Sequence, residues 1–564
     1  MAGEQQVPRR LVPLGLRGYQ RSWLRTDVLA GLTLAAVAIP ETMGYASIAQ
    51  MPVVTGLYTV LFPAVLFALL GSSRLLVVGA DSATAAILAS GLAGLGISSL
   101  VPGSPHWLAL GSLIALVSGG LLALARLLRL GFLGDFLSAS VLIGFLTGVG
   151  IQVGVGQLPE MLGISKGSGS WLDQQAHLLT HLGETDVVSA AFAVGTVALI
   201  LGCKRWIPKL PGAILAVVAS IILSTVLHVS AYGVAVVGPM PGGFPPLGLP
   251  SGISWSEAVQ VLPTAITCFV LIIAQSAATS RSFASKHGER VDVNRDIVGL
   301  SAANLAAGLS GTFVVNGSPT KTQILDEQKA RTQVANLTMA AVVLVILLFL
   351  TGVLTDLPKP VLGAIVFLIA VDLIDLRGLE RVRLVRGSEF VIAVLTAVVV
   401  VLAGVQQGLV LAVALSLLNL VRRQYRPHRF VISLDAKGDP TYRPAEPGME
   451  SSPGLIVFRY DADLFYANAN QFADSVRQII TSAPDPVRWL VLDCSSITDA
   501  DYSAGAALHE LVTFVHNRGA VFALAGVDPE LRTMLARLGV LRLLHVDHVY
   551  DTVEDAVAGY RAST

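Results

Sequence analysis

The residues with the clearest potential for chemistry lie in the apolar run Gly31 to Gln50, where Pro40 is followed by Glu41. A carboxylate inside a membrane span costs a few kcal/mol, so such residues usually face a protein interior or a water-filled cavity and mark ion or proton pathways. Proline donates no backbone hydrogen bond and therefore leaves a carbonyl free at the same depth. The pair predicts a transport site. The alternative is a span that ends early and leaves Glu41 among the lipid headgroups.

Two further segments each combine a small-residue turn with a short helical pattern. VVGADSATAAILASG contains Gly79 and Asp81, and VVNGSPTKTQILDEQ contains Asn316 and Lys321. Each predicts an extended piece followed by a short helix with Ser or Asp in the capping position. Two half-helix N-termini meeting near the membrane midplane would direct N–H groups and positive dipole ends at one spot, which favours an anion. Alternatively, each turn is an ordinary loop and Lys321 extends to an interface.

Composition places these segments in a membrane protein. The chain has 564 residues with mean hydropathy +0.69 and only 13% charged residues, against ~25% in soluble domains. Zero net charge disfavours a nucleic-acid partner. Cys203, Cys268 and Cys494 are scattered and odd in number, so they predict neither disulfides nor a metal site. No cofactor is expected. The absence of clustered His, Cys or carboxylate residues with catalytic spacing argues against an enzyme.

Apolar stretches predict fourteen membrane spans, which puts both termini on the same side of the membrane. The third and tenth are too short to cross a hydrocarbon core of ~30 Å as regular helices. The predicted spans are 27–47, 55–71, 81–96, 107–126, 135–157, 185–203, 211–229, 256–280, 295–312, 318–328, 333–354, 358–376, 388–403 and 405–421.

Loop charges give an independent test of this topology. Loops after odd-numbered spans contain almost no cations, with Lys166 and Lys359 as exceptions. Loops after even-numbered spans contain Arg74, Arg126, Arg129, Lys204, Arg205, Lys209, Arg281, Lys286, Arg290, Arg295, Lys329, Arg331, Arg377, Arg381, Arg383 and Arg386. This bias predicts a multi-pass protein of the plasma or inner membrane with both termini in the cytoplasm. Residues 1–26 carry arginines and no signal-peptide pattern, which predicts a cytoplasmic N-terminal segment.

The composition changes after the predicted transmembrane domain, 27–425. Residues 426–452 predict a linker, with an edge hairpin as an open possibility. Residues 453–564 predict an α/β domain, because the strand-like segments 454–460, 488–494 and 520–527 alternate with helical patterns near 468–481, 503–517, 528–538 and 551–561. Such alternation predicts a mixed or parallel sheet covered by helices.

Ordered motifs give the chain a resemblance to a known family. They are Pro40-(x)4-Tyr45-Ala46, Pro52-(x)3-Gly56-Leu57-Tyr58, Gly71-Ser72-Ser73-Arg74, Gly79-Ala80-Asp81 and Gly317-Ser318-Pro319-Thr320-Lys321-Thr322. With these motifs the chain resembles the SulP family of anion transporters (sulfate permease-like proteins) along nearly its whole length. The start of span 3 is usually Gly-Pro in the family, and the basic position of span 10 is often arginine. The C-terminal domain resembles STAS, the domain attached to most such transporters.

The resemblance implies a fold and a mechanism. Fourteen spans would form two inverted repeats of seven, with a core of spans 1–4 and 8–11 and a gate of spans 5–7 and 12–14. Transport would be an elevator-like movement of core against gate, and a homodimer is usual. The implied anion pocket contains Tyr45, Ala80, Asp81, Ser82, Ala83, Ser318, Pro319, Thr320 and Lys321.

Three departures from the family pattern shape the functional hypothesis. Glu41 replaces the usual glutamine, while Gln275 stands where some bacterial relatives place an acidic residue for cation coupling. We therefore expect proton symport through Glu41 rather than a sodium site. Asp81 either caps the span 3 helix or pairs with Lys321, and the sequence does not choose between them.

The sequence leaves several functions open. The favoured function is secondary-active transport of sulfate, bicarbonate or a small dicarboxylate, and the alternative is an uncoupled exchanger or channel on the same scaffold. A nucleobase-type permease is disfavoured by Gln275 and Lys321. In the STAS domain, Asp501 is followed by Tyr502 where phosphoregulated relatives have serine, which favours a structural domain. Phosphorylation of Ser503, at a helix N-terminus, stays physically open.

Overall fold

The computed structural model describes residues 19–97, 100–131, 138–165, 167, 171–207, 211–229, 233–425, 427–435, 439–544 and 548–563. Most of the predicted N-terminal segment 1–26, with Arg9, Arg10 and Arg17, lies outside the described residues, as do Lys166 and Lys209. The chain divides into two compact units, Met1–Ser416 and Leu417–Thr564.

The first half of the larger unit is helical, apart from one short strand, β1 (Val77–Gly79). Its helices are α1 (Leu24–Ile48), α2 (Val53–Tyr58), α3 (Phe62–Leu70), α4 (Ser82–Ala93), α5 (Pro105–Leu127), α6 (Ala139–Leu162), α7 (Trp171–Thr180), α8 (Val187–Trp206) and α9 (Gly212–Leu227).

The second half repeats this organisation around a second short strand, β2 (Asn316–Ser318). Its helices are α10 (Trp255–Gln260), α11 (Leu262–His287), α12 (Val293–Leu309), α13 (Pro319–Glu327), α14 (Val334–Phe349), α15 (Lys359–Asp372), α16 (Leu376–Val385), α17 (Gly387–Ala403) and α18 (Val405–Tyr425). The last helix continues past the boundary between the two units.

Each predicted span overlaps an observed helix. Span 2 is broken into α2 and α3, and spans 3 and 10 correspond to the short helices α4 and α13. In the part of the chain that the structure describes, seven helical segments are long and apolar enough to cross a membrane, judged by length and composition. The number of crossings, fourteen, stays a prediction. Helices α7 and α16 were not expected.

The most extensive helix pairings fall within the predicted core or within the predicted gate. In the predicted core, α1 packs on α14, and α12 packs on α3 and α5. In the predicted gate, α6 packs on α15 and α17, and α8 packs on α9. This pattern is the one expected if the two sets of helices move as separate bodies, although the division itself stays a proposal.

Two buried carboxylates hold the loops next to the short helices. Asp296, at the start of α12, accepts hydrogen bonds from the backbone N–H of Ser72 (2.7 Å) and of Ser73 (2.9 Å). Asp27, in the first turn of α1, accepts one from the Thr332 hydroxyl (2.6 Å). A buried charge is tolerated when it is hydrogen-bonded, so these contacts favour one loop arrangement on each side of the short helices.

The smaller unit contains a six-stranded sheet in the order β4-β3-β5-β6-β7-β8. Its strands are β3 (Arg429–Leu434), β4 (Pro440–Pro444), β5 (Leu455–Tyr460), β6 (Trp489–Asp493), β7 (Val521–Ala525) and β8 (Val549–Tyr550). Strands β5 to β8 are parallel, and β3 is antiparallel to both neighbours. The β3–β4 hairpin lies in the predicted linker 426–452, where the sequence left a hairpin open.

Helices cover both faces of this sheet, as the alternating strands and helices predict. They are α19 (Ala469–Thr481), α20 (Tyr502–His516), α21 (Pro529–Arg537) and α22 (Val553–Ser563). Phe458 packs on the face of α19 to α21, whereas its neighbour Val457 packs on the face of α22. This alternation follows from the period of two residues in a strand. Strand β8 was not predicted, since two residues give too weak a signal.

The close packing of α6 on α17 gives a test of the fold. A Cβ atom added at Gly144 of α6 would lie 2.1 Å from the backbone oxygen of Ala393 in α17. We expect Gly144→Ala to lower the thermal midpoint of the purified chain in detergent, since overpacking costs about 1–3 kcal/mol. Gly195→Ala is the matched control, because nothing lies within 4 Å of the added atom. Equal midpoints for the two variants would contradict the packing described.

Candidate anion-binding site

A two-stranded ribbon brings the two short helices together. Strands β1 and β2 are antiparallel, with Val77 paired to Ser318 and Gly79 paired to Asn316. Helix α4 follows β1 and helix α13 follows β2. The two helices therefore begin at opposite ends of one small ribbon. The N–H groups in the first turn of each helix have no intrahelical partner. The paired interrupted segments of the sequence lie together at this place.

Asp81 caps the first of these helices. Its carboxylate accepts a hydrogen bond from the backbone N–H of Ala83 (3.1 Å), in the first turn of α4. Asp81 forms no ion pair with Lys321 in the described residues. Of the two roles that the sequence left open, the structure shows the cap. Ser82 and Ala83 are buried in the same turn.

Ser318 caps the second helix. Its hydroxyl oxygen accepts a hydrogen bond from the backbone N–H of Lys321 (3.4 Å), and Pro319 occupies the first turn, where a missing N–H costs nothing. The Thr322 hydroxyl donates to the Ser318 carbonyl (2.6 Å) and accepts from the backbone N–H of Val77 (3.1 Å). Thr322 therefore links the first turn of α13 to β1. Thr320 is exposed beside the cap.

Lys321 joins the two helix starts. The side chain is fully buried, and its Nζ donates a hydrogen bond to the carbonyl oxygen of Ala80 (2.6 Å), next to the cap of α4. The same Nζ lies 4.8 Å from the centre of the Tyr45 ring, a cation–π contact. An ammonium group has three donors, and the only hydrogen bond of this one within the described residues is that to Ala80. The cation therefore remains without a hydrogen-bonded counter-charge.

Glu41 lies on the same helix as Tyr45, one turn earlier. Helix α1 continues through Pro40 to Ile48, so Glu41 lies within the helix and not at its end. The Oε2 atom of Glu41 is shielded from solvent and has no hydrogen-bond partner in the described residues. Glu41 interacts electrostatically with Lys321 and Asp81. Glu41, the predicted coupling carboxylate, therefore interacts electrostatically with two residues of the predicted anion pocket.

Residues outside the predicted pocket hold the ribbon in place. Gln275 accepts a hydrogen bond through Oε1 from the Asn316 side chain (2.8 Å). The Ser276 hydroxyl donates to Asn316 Oδ1 (2.8 Å) and accepts from the backbone N–H of Gly317 (3.1 Å). Gln275 stands at the position where the family resemblance implies an acidic residue in some relatives. In this chain its amide binds Asn316 and so orients β2. Of these residues, Ser276 had the weakest sequence signal, since only its polarity within an apolar run distinguished it.

Thr59 has the corresponding function at the other strand. Its hydroxyl accepts a hydrogen bond from the backbone N–H of Ala80 (3.1 Å) and donates to the carbonyl of Gly56 (2.6 Å). This contact holds the backbone of Ala80, the residue whose carbonyl accepts the hydrogen bond from Lys321. No group of three His, Cys, Asp or Glu residues that could hold a metal ion occurs in the described part of the chain.

Comparisons of sequence place this geometry in a family. The model of the sulfate permease family matches residues 24–396, and the model of the STAS domain matches residues 446–556. A probable sulfate transporter of Mycobacterium tuberculosis (strain ATCC 25618 / H37Rv) is 35% identical over 547 residues, which cover 97% of each chain. Probable sulfate transporter 4.2 of Arabidopsis thaliana is 27% identical over 96% of this chain and 82% of its own.

Comparisons of structure agree on the fold. The inward-facing structure of the murine solute carrier 26 family member A9 anion transporter matches with a TM-score of 0.87 and 22% identity, over 98% of this chain and 94% of that chain. The transmembrane domain of a cyanobacterial bicarbonate transporter, BicA, matches with a TM-score of 0.61 and 23% identity, over 70% of this chain and 98% of that domain. The predicted membrane transporter fold with a STAS domain is confirmed.

The role of Asp81 as a cap can be separated from a role of its charge. Asparagine caps helices as well as aspartate does, whereas alanine costs about 1 kcal/mol. We expect Asp81→Asn to keep the thermal midpoint of the purified chain and Asp81→Ala to lower it. A loss of stability in both variants, of similar size, would show that the negative charge stabilises the site.

Proposed function

Because the chain belongs to the sulfate permease family of membrane anion transporters, we propose that it is a secondary-active transporter of a small anion, coupled to protons through Glu41. The observation that carries this proposal is the buried Lys321, whose ammonium joins the starts of α4 and α13 without an ion pair in the described residues. A buried cation between two helix N-termini favours the binding of an anion. We assign the pocket to Tyr45, to Ala80–Ala83 and to Ser318–Lys321.

The substrate class follows from the chemistry of the pocket. Helix N–H groups, the Thr320 and Ser318 hydroxyls and one ammonium all donate hydrogen bonds, which suits an oxyanion such as sulfate or bicarbonate, or a small dicarboxylate. Two similar proteins, a probable sulfate transporter and a bicarbonate transporter, support the oxyanion class. Lysine binds as a point charge, whereas arginine at this position would form a planar fork.

Glu41 supplies the coupling. An anion beside Glu41 favours the protonated carboxyl, because two like charges in a desolvated pocket repel each other. Anion and proton would therefore bind together and leave together. The unpartnered Oε2 of Glu41 supports this role, since a carboxylate with a structural role normally has its hydrogen bonds satisfied.

The transport movement that we propose is an elevator-like displacement of a core (spans 1–4 and 8–11) against a gate (spans 5–7 and 12–14). The helix pairings within each set support it. We also propose a homodimer in the plasma or inner membrane with both termini in the cytoplasm. An uncoupled exchanger or channel is the alternative, and it would leave Glu41 without a function.

Proton coupling predicts a specific defect in one variant. Glu41→Gln should abolish uptake of labelled anion driven by an imposed pH gradient in proteoliposomes, while exchange of internal for external anion is preserved, because the neutral amide cannot carry the proton. Sulfate, bicarbonate and fumarate should each be tested. Glu184→Gln, an exposed carboxylate away from the site, serves as control. Gradient-driven uptake that is unchanged in Glu41→Gln would exclude the coupling role, and uptake that ignores the gradient in the native chain would favour the uncoupled alternative.

The anion site has its own test. Lys321→Ala should weaken anion binding by roughly 10- to 100-fold, as expected for one charge-assisted hydrogen bond of about 1.5–3 kcal/mol. Binding of the transported anion to the purified chain can be measured by calorimetry. Lys359→Ala removes an exposed lysine and should bind as the native chain does. Equal affinity in both variants would remove Lys321 from the site.

A further inference from the structure

Helix α16 (Leu376–Val385) lies between α15 and α17, which we assign to spans 12 and 13. It packs on α17 and α6 through a narrow side, where Gly378 is buried and Leu379 and Val382 are half-buried. The remainder of the helix is exposed. Because it connects two spans directly, α16 must lie close to one membrane surface.

The exposed side of α16 is cationic. It carries Arg377, Arg381 and Arg383 together with one carboxylate, Glu380, and Arg386 follows as the C-terminal cap residue, so that cations outnumber anions. Arg381 forms one long ion pair, of 4.0 Å, with Asp375. Arg377, Arg383 and Arg386 form no ion pair in the described residues. The guanidinium groups of Arg377 and Arg383 are thus available for an anionic partner outside this chain. That of Arg381 is 77% exposed and has only the one long ion pair, so it can reach the same partner.

Apolar side chains are exposed among these arginines. Leu376 is 67% exposed, and Leu384 and Val385 are each 79% exposed. In a helix that faces only water, these three exposed aliphatic side chains would gain nothing from burial. In a helix that lies in the membrane interface they would gain from it, since the cations of such a helix bind headgroups while its apolar side chains enter the acyl boundary.

We propose that α16 is a binding site for anionic phospholipid headgroups, with the guanidinium groups of Arg377, Arg381 and Arg383 on the lipid phosphates and Leu384 in the acyl boundary. Arginine matches phosphate in a two-pronged geometry, and a cation near the membrane surface gains from the negative surface potential. The site goes beyond the proposed function and depends neither on the transported anion nor on Glu41.

The experiment uses the full chain, purified in detergent and titrated with phosphatidylglycerol or phosphatidylcholine, with bound lipid counted by native mass spectrometry. We expect a preference for phosphatidylglycerol that falls roughly 100-fold in R377Q/R381Q/R383Q, given the usual gain for each cation at an anionic surface. R532Q/R537Q/R542Q removes the same charge from exposed positions of the smaller unit and should keep the preference. Binding of phosphatidylcholine should not change in either variant.

Two results would overturn this proposal. One is an equal preference for phosphatidylglycerol in the α16 variant and the native chain, and the other is no preference in the native chain, which would leave an acidic protein as the partner. If the variant does not fold, the native chain still provides the test, because contacts to headgroup charges weaken with salt. A preference that is independent of sodium chloride concentration would then refute the headgroup site. Anion uptake is measured separately, so a failure of the transport proposal would be visible on its own.

Discussion

The hydrogen bond from Lys321 to the carbonyl of Ala80 is the contact on which the site depends. It places a buried ammonium between two helix starts that come from opposite halves of the chain. A buried cation without a hydrogen-bonded counter-charge is costly. The Ala80 carbonyl, the Tyr45 ring and the electrostatic interactions with Glu41 and Asp81 offset part of this cost. We propose that the remaining cost is the physical basis of anion affinity, because a bound anion would supply the missing hydrogen-bonded counter-charge.

Such an arrangement is stable only if the backbone around it is rigid. Both strands of the ribbon are three residues long, and a two-stranded ribbon of that length has little stability of its own. Its geometry comes from buried polar side chains on neighbouring helices, with Thr59 on one strand and Asn316 with Gln275 on the other. Thr59 and Gln275 are hydrogen-bonded to the ribbon. By contrast, Oε2 of Glu41 has no hydrogen-bond partner in the described residues. The contrast separates the residues that position the site from the one that we expect to change its charge.

The two units are built on different physical principles. In the larger unit, many of the buried polar side chains cap helix starts or are hydrogen-bonded to neighbouring segments, because an apolar surround offers them no water. In the smaller unit, the parallel strands β5, β6 and β7 are buried on both faces of the sheet, and their sequences are near-continuous apolar runs. The exposed arginines of α16 follow neither pattern. For this reason we propose a partner outside the chain for that helix.

Much of this organisation can be predicted from the sequence. Hydropathy and loop charge predict helices at every span, because the length of an apolar run and the position of arginines are local properties. The capping motifs around Asp81 and Ser318 predict the starts of α4 and α13, and alternating patterns predict the strands β5, β6 and β7. The small-residue turns predict that the two short segments meet, as they do at the β1–β2 ribbon, while the anion pocket around Lys321 stays a prediction.

Only the tertiary structure decided which of these residues meet. The role of Asp81 as a cap, the bond of Lys321 to Ala80 and the use of Gln275 to hold Asn316 all join positions far apart in the chain, and no local pattern encodes such pairs. The same is true of the exposed side of α16, since the sequence shows its arginines but not which side chains the neighbouring helices cover. Residue type and spacing thus determined the elements and their caps, whereas contact between the two halves decided the chemistry of the site.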